Sequence, residues 1–261
     1  MDKSLQRQPN NSFWYNAGGT VRFLSLLTLF VVWEASVRLF SPELLPSRFE
    51  VLVNLHYQWQ SADLLFHISE TLRRVSIAFL LAMLAGSLLG LLMGHSRKLD
   101  LWLDGLLTIA LNVPALVTII LCFIWFGLNE FSAILAVIIN KTPNVAVTLR
   151  EGARAIDKNL MAVAKAYRLP PSRTLFKVYL PQLYPYFFAA ARSGLALVWK
   201  IVLVVELLGC STGVGFQLAT FFQFFDITSI LAYTVAFAAI VYVIESIVLR
   251  PWEQRLSRWR K

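Results

Sequence analysis

Six ionisable residues lie inside otherwise apolar runs, and they are the first place where this chain could do chemistry: Glu34, Lys141, Arg192, Lys200, Glu206 and Glu245. A charge at bilayer depth is costly and faces either a partner or a polar pathway. Nothing equips these groups for covalent work. No nucleophile stands in register with a base, and no GxxxxGK[ST] phosphate cradle occurs. His56, His67 and His95 are too scattered for a metal site, and Cys122 and Cys210 have neither zinc nor CxxC spacing. The expected role is to bind or pass a charge, with no metal and no cofactor held by the chain itself.

Helical geometry sorts the six. Lys141 stands near mid-span in INKTPN, two residues before Pro143, and Lys200 stands near mid-depth in VWKIV. At 100° per residue, Arg192 and Lys200 are about 80° apart, on one broad face. Lys200 and Glu206 are about 240° apart and do not pair easily within their own helix. Two readings stay open. In one, Lys141 or Lys200 forms a buried ion pair with Glu206 or Glu34 of a neighbouring helix. In the other, Lys141 and Lys200 line a central path favourable to an anion, helped by the carbonyl that Pro143 frees in mid-membrane. The candidate pathway residues are Lys141, Pro143, Arg192, Lys200 and Glu206.

The elements that must position them are membrane helices. Of 261 residues, 57% are hydrophobic and only 15% charged, and the mean hydropathy is +0.63. That leaves too little polar surface for a water-facing globule. A bilayer core needs roughly 20 apolar residues per helix. Six runs qualify: 21–40, 75–94, 106–127, 131–149, 184–209 and 227–249. The expected fold is therefore all-α, a polytopic membrane protein with six transmembrane helices. An N-terminal cytoplasmic segment, 1–20, precedes a transmembrane domain, 21–261. The net charge of +9 would suggest nucleic acid in a soluble chain, but here no nucleic acid is expected and the placement of charge matters more. Lys3, Arg7, Arg22, Arg97, Lys98, the basic residues of 150–177 and the tail from Arg250 to Lys261 all fall on one side. The other side holds Arg48, joined by Arg73 and Arg74 if these belong to the outer end of the second span. Basic residues are retained inside during insertion, which predicts both termini cytoplasmic.

Two features serve packing or the surface. Gly86, Gly90 and Gly94 form a flat strip for close helix approach, and residues 41–70, with Pro46, read as an external connection containing an interfacial helix. The most informative stretch is the cytoplasmic segment 150–182, far longer than a connector needs to be. Asn159 can cap a helix to about Tyr167, with Leu160, Val163, Ala164 and Tyr167 on one apolar stripe. Pro170 and Pro171 break it. Ser172 can cap a second short helix that ends at Leu180–Pro181. A bent pair results, with its tip at Arg168–Arg173. From physics alone it either lies on lipid headgroups or docks a partner.

This segment resembles the cytoplasmic loop of permease subunits in binding-protein-dependent ABC importers, whose pattern runs Glu-Ala-Ala, Gly, Leu-Pro. Ala162, Val163 and Ala164 take the opening position and Leu180–Pro181 the closing one, with Lys165 and Tyr167 of family type. Two positions depart: Ala162 stands for the usual Glu and Arg168 for the usual Gly. The strings LLPSRFEVL, HISETLRRVSIAF, GSLLGLLMG, IWFGLNE, LVVELLG and STGVGF are similar in order and spacing to the nitrate, taurine and aliphatic sulfonate permeases. The resemblance implies a type I ABC importer permease fold in a bacterial inner membrane. It also implies a homodimer, two cytoplasmic ATPase subunits that bind the ATP, and a periplasmic or lipid-anchored solute-binding protein. Ala162, Val163, Ala164, Lys165, Tyr167, Arg168, Leu169, Pro170, Pro171, Arg173, Leu180 and Pro181 would form the ATPase-coupling loop, with the proline pair setting the bend in place of glycine. Glu206, where the family commonly has Glu, would then be architectural. The implied solute is a small anion such as a sulfonate, taurine or nitrate. A vitamin precursor or other small heterocycle is the alternative, and a membrane scaffold subunit is the alternative from another class.

Overall fold

The computed structural model describes residues 45–61 and 63–249, together with positions 24, 27, 28, 31–37 and 39. No strand occurs among the described residues. The helices are α1 (Arg48–Gln60), α2 (Asp63–His95), α3 (Arg97–Asn112), α4 (Ala115–Phe126), α5 (Glu130–Arg154), α6 (Lys158–Ala166), α7 (Pro171–Gly209), α8 (Val214–Gln223) and α9 (Ile227–Ile244). Helix α7 contains a π-helical turn, Leu175–Tyr179, and a second π turn, Glu245–Leu249, continues α9.

Among the described residues, four helices (α2, α5, α7 and α9) are long and apolar enough to cross a membrane. Helices α3 and α4 make a fifth span only if taken together, because they meet at 97°. This corrects the expected third span, 106–127, as one straight helix. Pro114 has no N–H and holds Val113 extended, at φ −70° and ψ 123°, so the helical ladder stops there. In the first expected span, 21–40, the described positions are helical. The rest of that span, segment 1–20 and the basic tail 250–261 lie outside the described residues. The expected external connection holds α1, which a capping box opens: Glu50 N–H donates to Ser47 Oγ, and Ser47 N–H donates to the Glu50 carboxylate.

Helix α5 packs against α2, α4 and α7. Small residues face inward: Ala78, Ala82, Gly86 and Gly90 of α2 are buried, whereas Leu80, Leu84 and Leu88 are exposed. That reverses the soluble pattern. Lipid is as apolar as leucine, so close backbone approach rather than burial of large side chains holds such helices together. A Cβ on Gly86 would lie 2.5 Å from Val145 Cβ, and one on Gly90 or Gly94 would collide with the Ala146 carbonyl or with Ala153 Cβ. The core divides in two. A larger cluster contains Val137, Val198 and Val202, and a smaller one contains Met83, Val145, Leu149 and Ala190. Lys141 lies between Val137 and Val145 on α5.

Candidate functional site

At one end of the bundle, α6 and the start of α7 form a projecting tip. Asp157, not Asn159, caps α6: its carboxylate accepts from the Asn159 N–H at 2.7 Å. Of the expected apolar stripe only Ala164 is buried. Leu160, Val163 and Tyr167 face out, Tyr167 at 78% exposure, with Phe176 beside them. The helix ends in two crossing bonds, Leu169 N–H to the Ala164 carbonyl and Arg168 N–H to the Lys165 carbonyl, both 3.0 Å. This is a Schellman cap, and Arg168 occupies its left-handed position at φ 50°. The bend is therefore made at Arg168 itself, which corrects the expectation that Pro170 and Pro171 replace the missing glycine. Those prolines do a different job: Pro170 precedes and Pro171 opens the next helix, where a missing N–H is harmless.

The second helix does not end at Leu180–Pro181. Its π turn, in which Leu180 N–H donates to the Leu175 carbonyl, carries it into the span, so the helix is continuous from Pro171 to Gly209. Nor does Ser172 cap it; it lies inside the first turn. Several contacts tie the tip to the bundle. Asp157 N–H donates to Gln182 Oε1 at 2.8 Å, and Tyr186 fills the space that Gly152 leaves on α5. Arg150 reaches Asp104 at 2.5 Å and Asp100 at 3.4 Å, and Arg154 also pairs with Asp100, fastening α5 to α3. The tip is therefore joined to both α5 and α7.

At the opposite end lies a buried ionic junction. Arg74 is 3% exposed and Glu206 0%. Arg74 donates from Nη1 to Glu206 Oε1 at 2.8 Å and to the Thr212 carbonyl at 2.7 Å. It also donates from Nη2 to Thr212 Oγ1 at 2.6 Å and from Nε to both Glu130 oxygens at 3.0 Å. Glu206 Oε2 accepts from the Thr71 hydroxyl at 2.8 Å and from the Gly215 N–H at 2.9 Å. The Gly213 N–H donates to His67 Nδ1 at 3.0 Å. Gly213 stands at φ 112°, and a Cβ there would strike the Glu206 carboxylate. The junction thus locks α2, α5, α7 and the start of α8 beside a cavity of roughly 220 Å³ lined by Glu70, Arg74, Asn129, Glu130 and Thr212 among others. Sequence reasoning found Glu206 but not Arg74, Thr71 or His67. The available signal was a charge at Arg74 in step with Thr71, Ala78 and Ala82 on one helix face.

These placements change the pathway expectations. Glu206 makes its ion pair with Arg74, not with a lysine, and its carboxylate is enclosed by donors rather than open to a path. Glu34 pairs with Arg48 at 3.5 Å. Arg192 and Lys200 are both exposed on α7. Lys200 lies about 240° round that helix from Gly194, the residue that faces Lys141, so the two lysines do not share one lining within a protomer. Lys141 is 1% exposed and makes no hydrogen bond or ion pair among the described residues. A Cβ on Gly194 would lie 2.7 Å from its Cε and 3.2 Å from its Nζ. Pro143 is buried in α5, which runs through it unbroken and leaves the Ile139 carbonyl without its helical donor.

Fold and site together define an all-helical, multi-pass membrane component with a projecting tip at one end and an ionic lock at the other. Residues 82–259 match the family of binding-protein-dependent transport system inner membrane components, and the chain belongs to that family. It is 28% identical over 234 residues to the aliphatic sulfonates transport permease protein SsuC of Bacillus subtilis, covering 89% of this chain and 84% of that one. To the taurine transport system permease protein TauC of Escherichia coli it is 28% identical over 247 residues (92% and 90%), and to the nitrate import permease protein NrtB of a Synechocystis strain 25% over 213 residues (78% of each). Two solved structures share the fold. One is the methionine ABC transporter MetNI in inward-facing form, with a TM-score of 0.57 at 19% identity, covering 67% of this chain and 88% of that one. The other is an amino acid ABC transporter, with a TM-score of 0.60 at 21% identity (77% and 97%). The chain is thus the permease subunit of an ABC importer in the inner membrane, partnered by a solute-binding protein and by a separate subunit that hydrolyses ATP.

Proposed function

We propose that two copies of this chain enclose the path for a small anion of the sulfonate, taurine or nitrate kind, in a six-helix type I arrangement with both termini cytoplasmic. Residues 150–182 are the ATPase-coupling segment of the transmembrane domain 21–261, and the dimer's outer surface is covered by lipid. The observation that carries this reading is the tip. A Schellman-capped helix and an uninterrupted 39-residue helix meet at Arg168 and present Leu160, Val163, Tyr167 and Phe176 among Lys165, Arg168 and Arg173. Exposed apolar groups ringed by basic ones suit a groove on the ATPase with an acidic rim. The solute class follows from the named relatives together with Lys141, a cationic side chain at mid-depth with no partner among the described residues. No phosphate-binding motif is present in this chain, so ATP belongs to the ATPase.

Reversing Arg168 and Arg173 to glutamate should leave the permease inserted and the complex assembled. Stimulation of ATP hydrolysis by the loaded binding protein should fall at least about tenfold, the scale of a lost charge-paired contact. Normal stimulation and normal uptake in the double variant would show that the ATPase engages another surface.

A further inference from the structure

Helix α5 carries a polar arc that the fold leaves half-open. Taking Lys141 as the origin at 100° per residue, Thr148, Asn144 and Asn140 lie at about −20°, −60° and −100°. Val145, Ala146, Leu149 and Ala153 point the other way, into the glycine strip of α2. Lys141 and Gly152 abut α7 through Gly194 and Tyr186. The arc therefore lies on the side of α7 away from α2. Asn140, Asn144 and Thr148 are each half-buried in an apolar span. The Asn140 amide makes no hydrogen bond among the described residues. Asn144 and Thr148 only fold back on carbonyls of their own helix, at 3.4 and 3.0 Å. Next to them Lys141 is 1% exposed and has no partner among the described residues. Two buried hydroxyls on the α2 side, Ser87 Oγ and Thr142 Oγ1, also lack partners among the described residues. A polar layer so poorly satisfied is expensive in lipid, and it persists where it meets water or a polar solute.

We propose that Asn140, Asn144 and Thr148 line the translocation path and pass a small oxyanion from donor to donor, with Lys141 behind them biasing the path towards negative charge. This rests on the permease reading above and names its site. Neutral amides and a hydroxyl hold an oxyanion by hydrogen bonds weak enough to release it. An ammonium set back under Gly194 raises the local anion concentration without trapping the ion. Arg192 and Lys200 of α7 then play no part in that lining.

The test uses the complete transporter in proteoliposomes, with Cys122 and Cys210 changed to serine. Single cysteines are placed at Asn140, Asn144 and Thr148, and at Ile139, which is exposed about 160° round the helix from Lys141. Labelling is compared for anionic 2-sulfonatoethyl methanethiosulfonate and its cationic trimethylammonium counterpart. The three arc positions should react about tenfold faster than Ile139→Cys and favour the anionic reagent by about tenfold, a preference that Lys141→Gln abolishes. ATP hydrolysis stimulated by the binding protein checks assembly of each variant. Where a cysteine variant fails to assemble, uptake of taurine and nitrate probes replaces it: Asn144→Gln should retain uptake and Asn144→Leu should lose it at least tenfold. Arc cysteines as slow as Ile139→Cys, or cross-linked to the second copy, overturn the path assignment while ATP-driven uptake leaves the permease reading standing. Loss of ATP coupling in the parent complex overturns both.

Discussion

Arg74 and Glu206 are 132 positions apart in sequence and 2.8 Å apart in the fold, and each is the other's most deeply buried charged partner. A buried charge whose partner is removed costs about 3–5 kcal/mol, whereas replacing both by apolar groups of similar size is close to neutral. Arg74→Met should therefore lower the thermal midpoint of the detergent-solubilised permease sharply. Adding Glu206→Leu should recover most of the loss, less the share due to Glu130 and Thr212, which also rely on Arg74. A double variant no better than the single would mean that the junction does not act as a pair. The apolar sequence around Glu206 flagged that residue on its own. Local spacing puts Arg74 on the packed face of its helix but does not say which residue it pairs with, because a salt bridge across helices leaves no trace in either helix alone. Lys141 shows the converse: its depth was readable from the apolar run, but its lack of a counter-ion among the described residues became visible only once it was seen buried against Gly194.

Among the elements, the bent tip was legible in outline and wrong in its joints. The break near Arg168–Pro171 and the apolar spacing on α6 follow from residue type. Three details do not: the cap at Asp157, the left-handed Arg168 and the passage of α7 through Pro181. Each depends on which competing backbone geometry the packed chain selects. A side chain in left-handed geometry costs roughly 1–2 kcal/mol relative to glycine. Arg168→Gly should accordingly raise the thermal midpoint slightly while preserving the bend, whereas a β-branched Arg168→Val should lower it. Equal midpoints for the two would argue that the cap is not formed at Arg168. The α3–α4 bend was missed for a related reason. Pro114 stands in a run apolar enough to pass as one span, and hydropathy is blind to a 97° turn.

For the molecule as a whole, apolar runs sufficed to read a multi-pass helical membrane protein, and the order of short strings sufficed to place its family. The contacts that join its two ends are carried by no string. The N-cap of α6 is tied to α7 through Asp157 and Gln182, α7 meets α5 where Tyr186 packs on Gly152, α5 is fastened to α3 by Arg150 and Arg154, and α5 and α7 meet again at the Arg74–Glu206 junction. Between those two ends the helices are joined by small residues at close approach, which transmit displacement without large side-chain rearrangement. The most direct measurement puts a photo-reactive amino acid at Tyr167, the exposed end of α6, in the assembled transporter and identifies what it captures on illumination. Capture of the ATPase subunit, weakened when the complex is trapped away from its ATP-bound state, is the predicted result. Capture of lipid alone, with the ATPase still bound to the complex, would contradict the assignment of the tip as the point where ATP-driven motion enters the membrane.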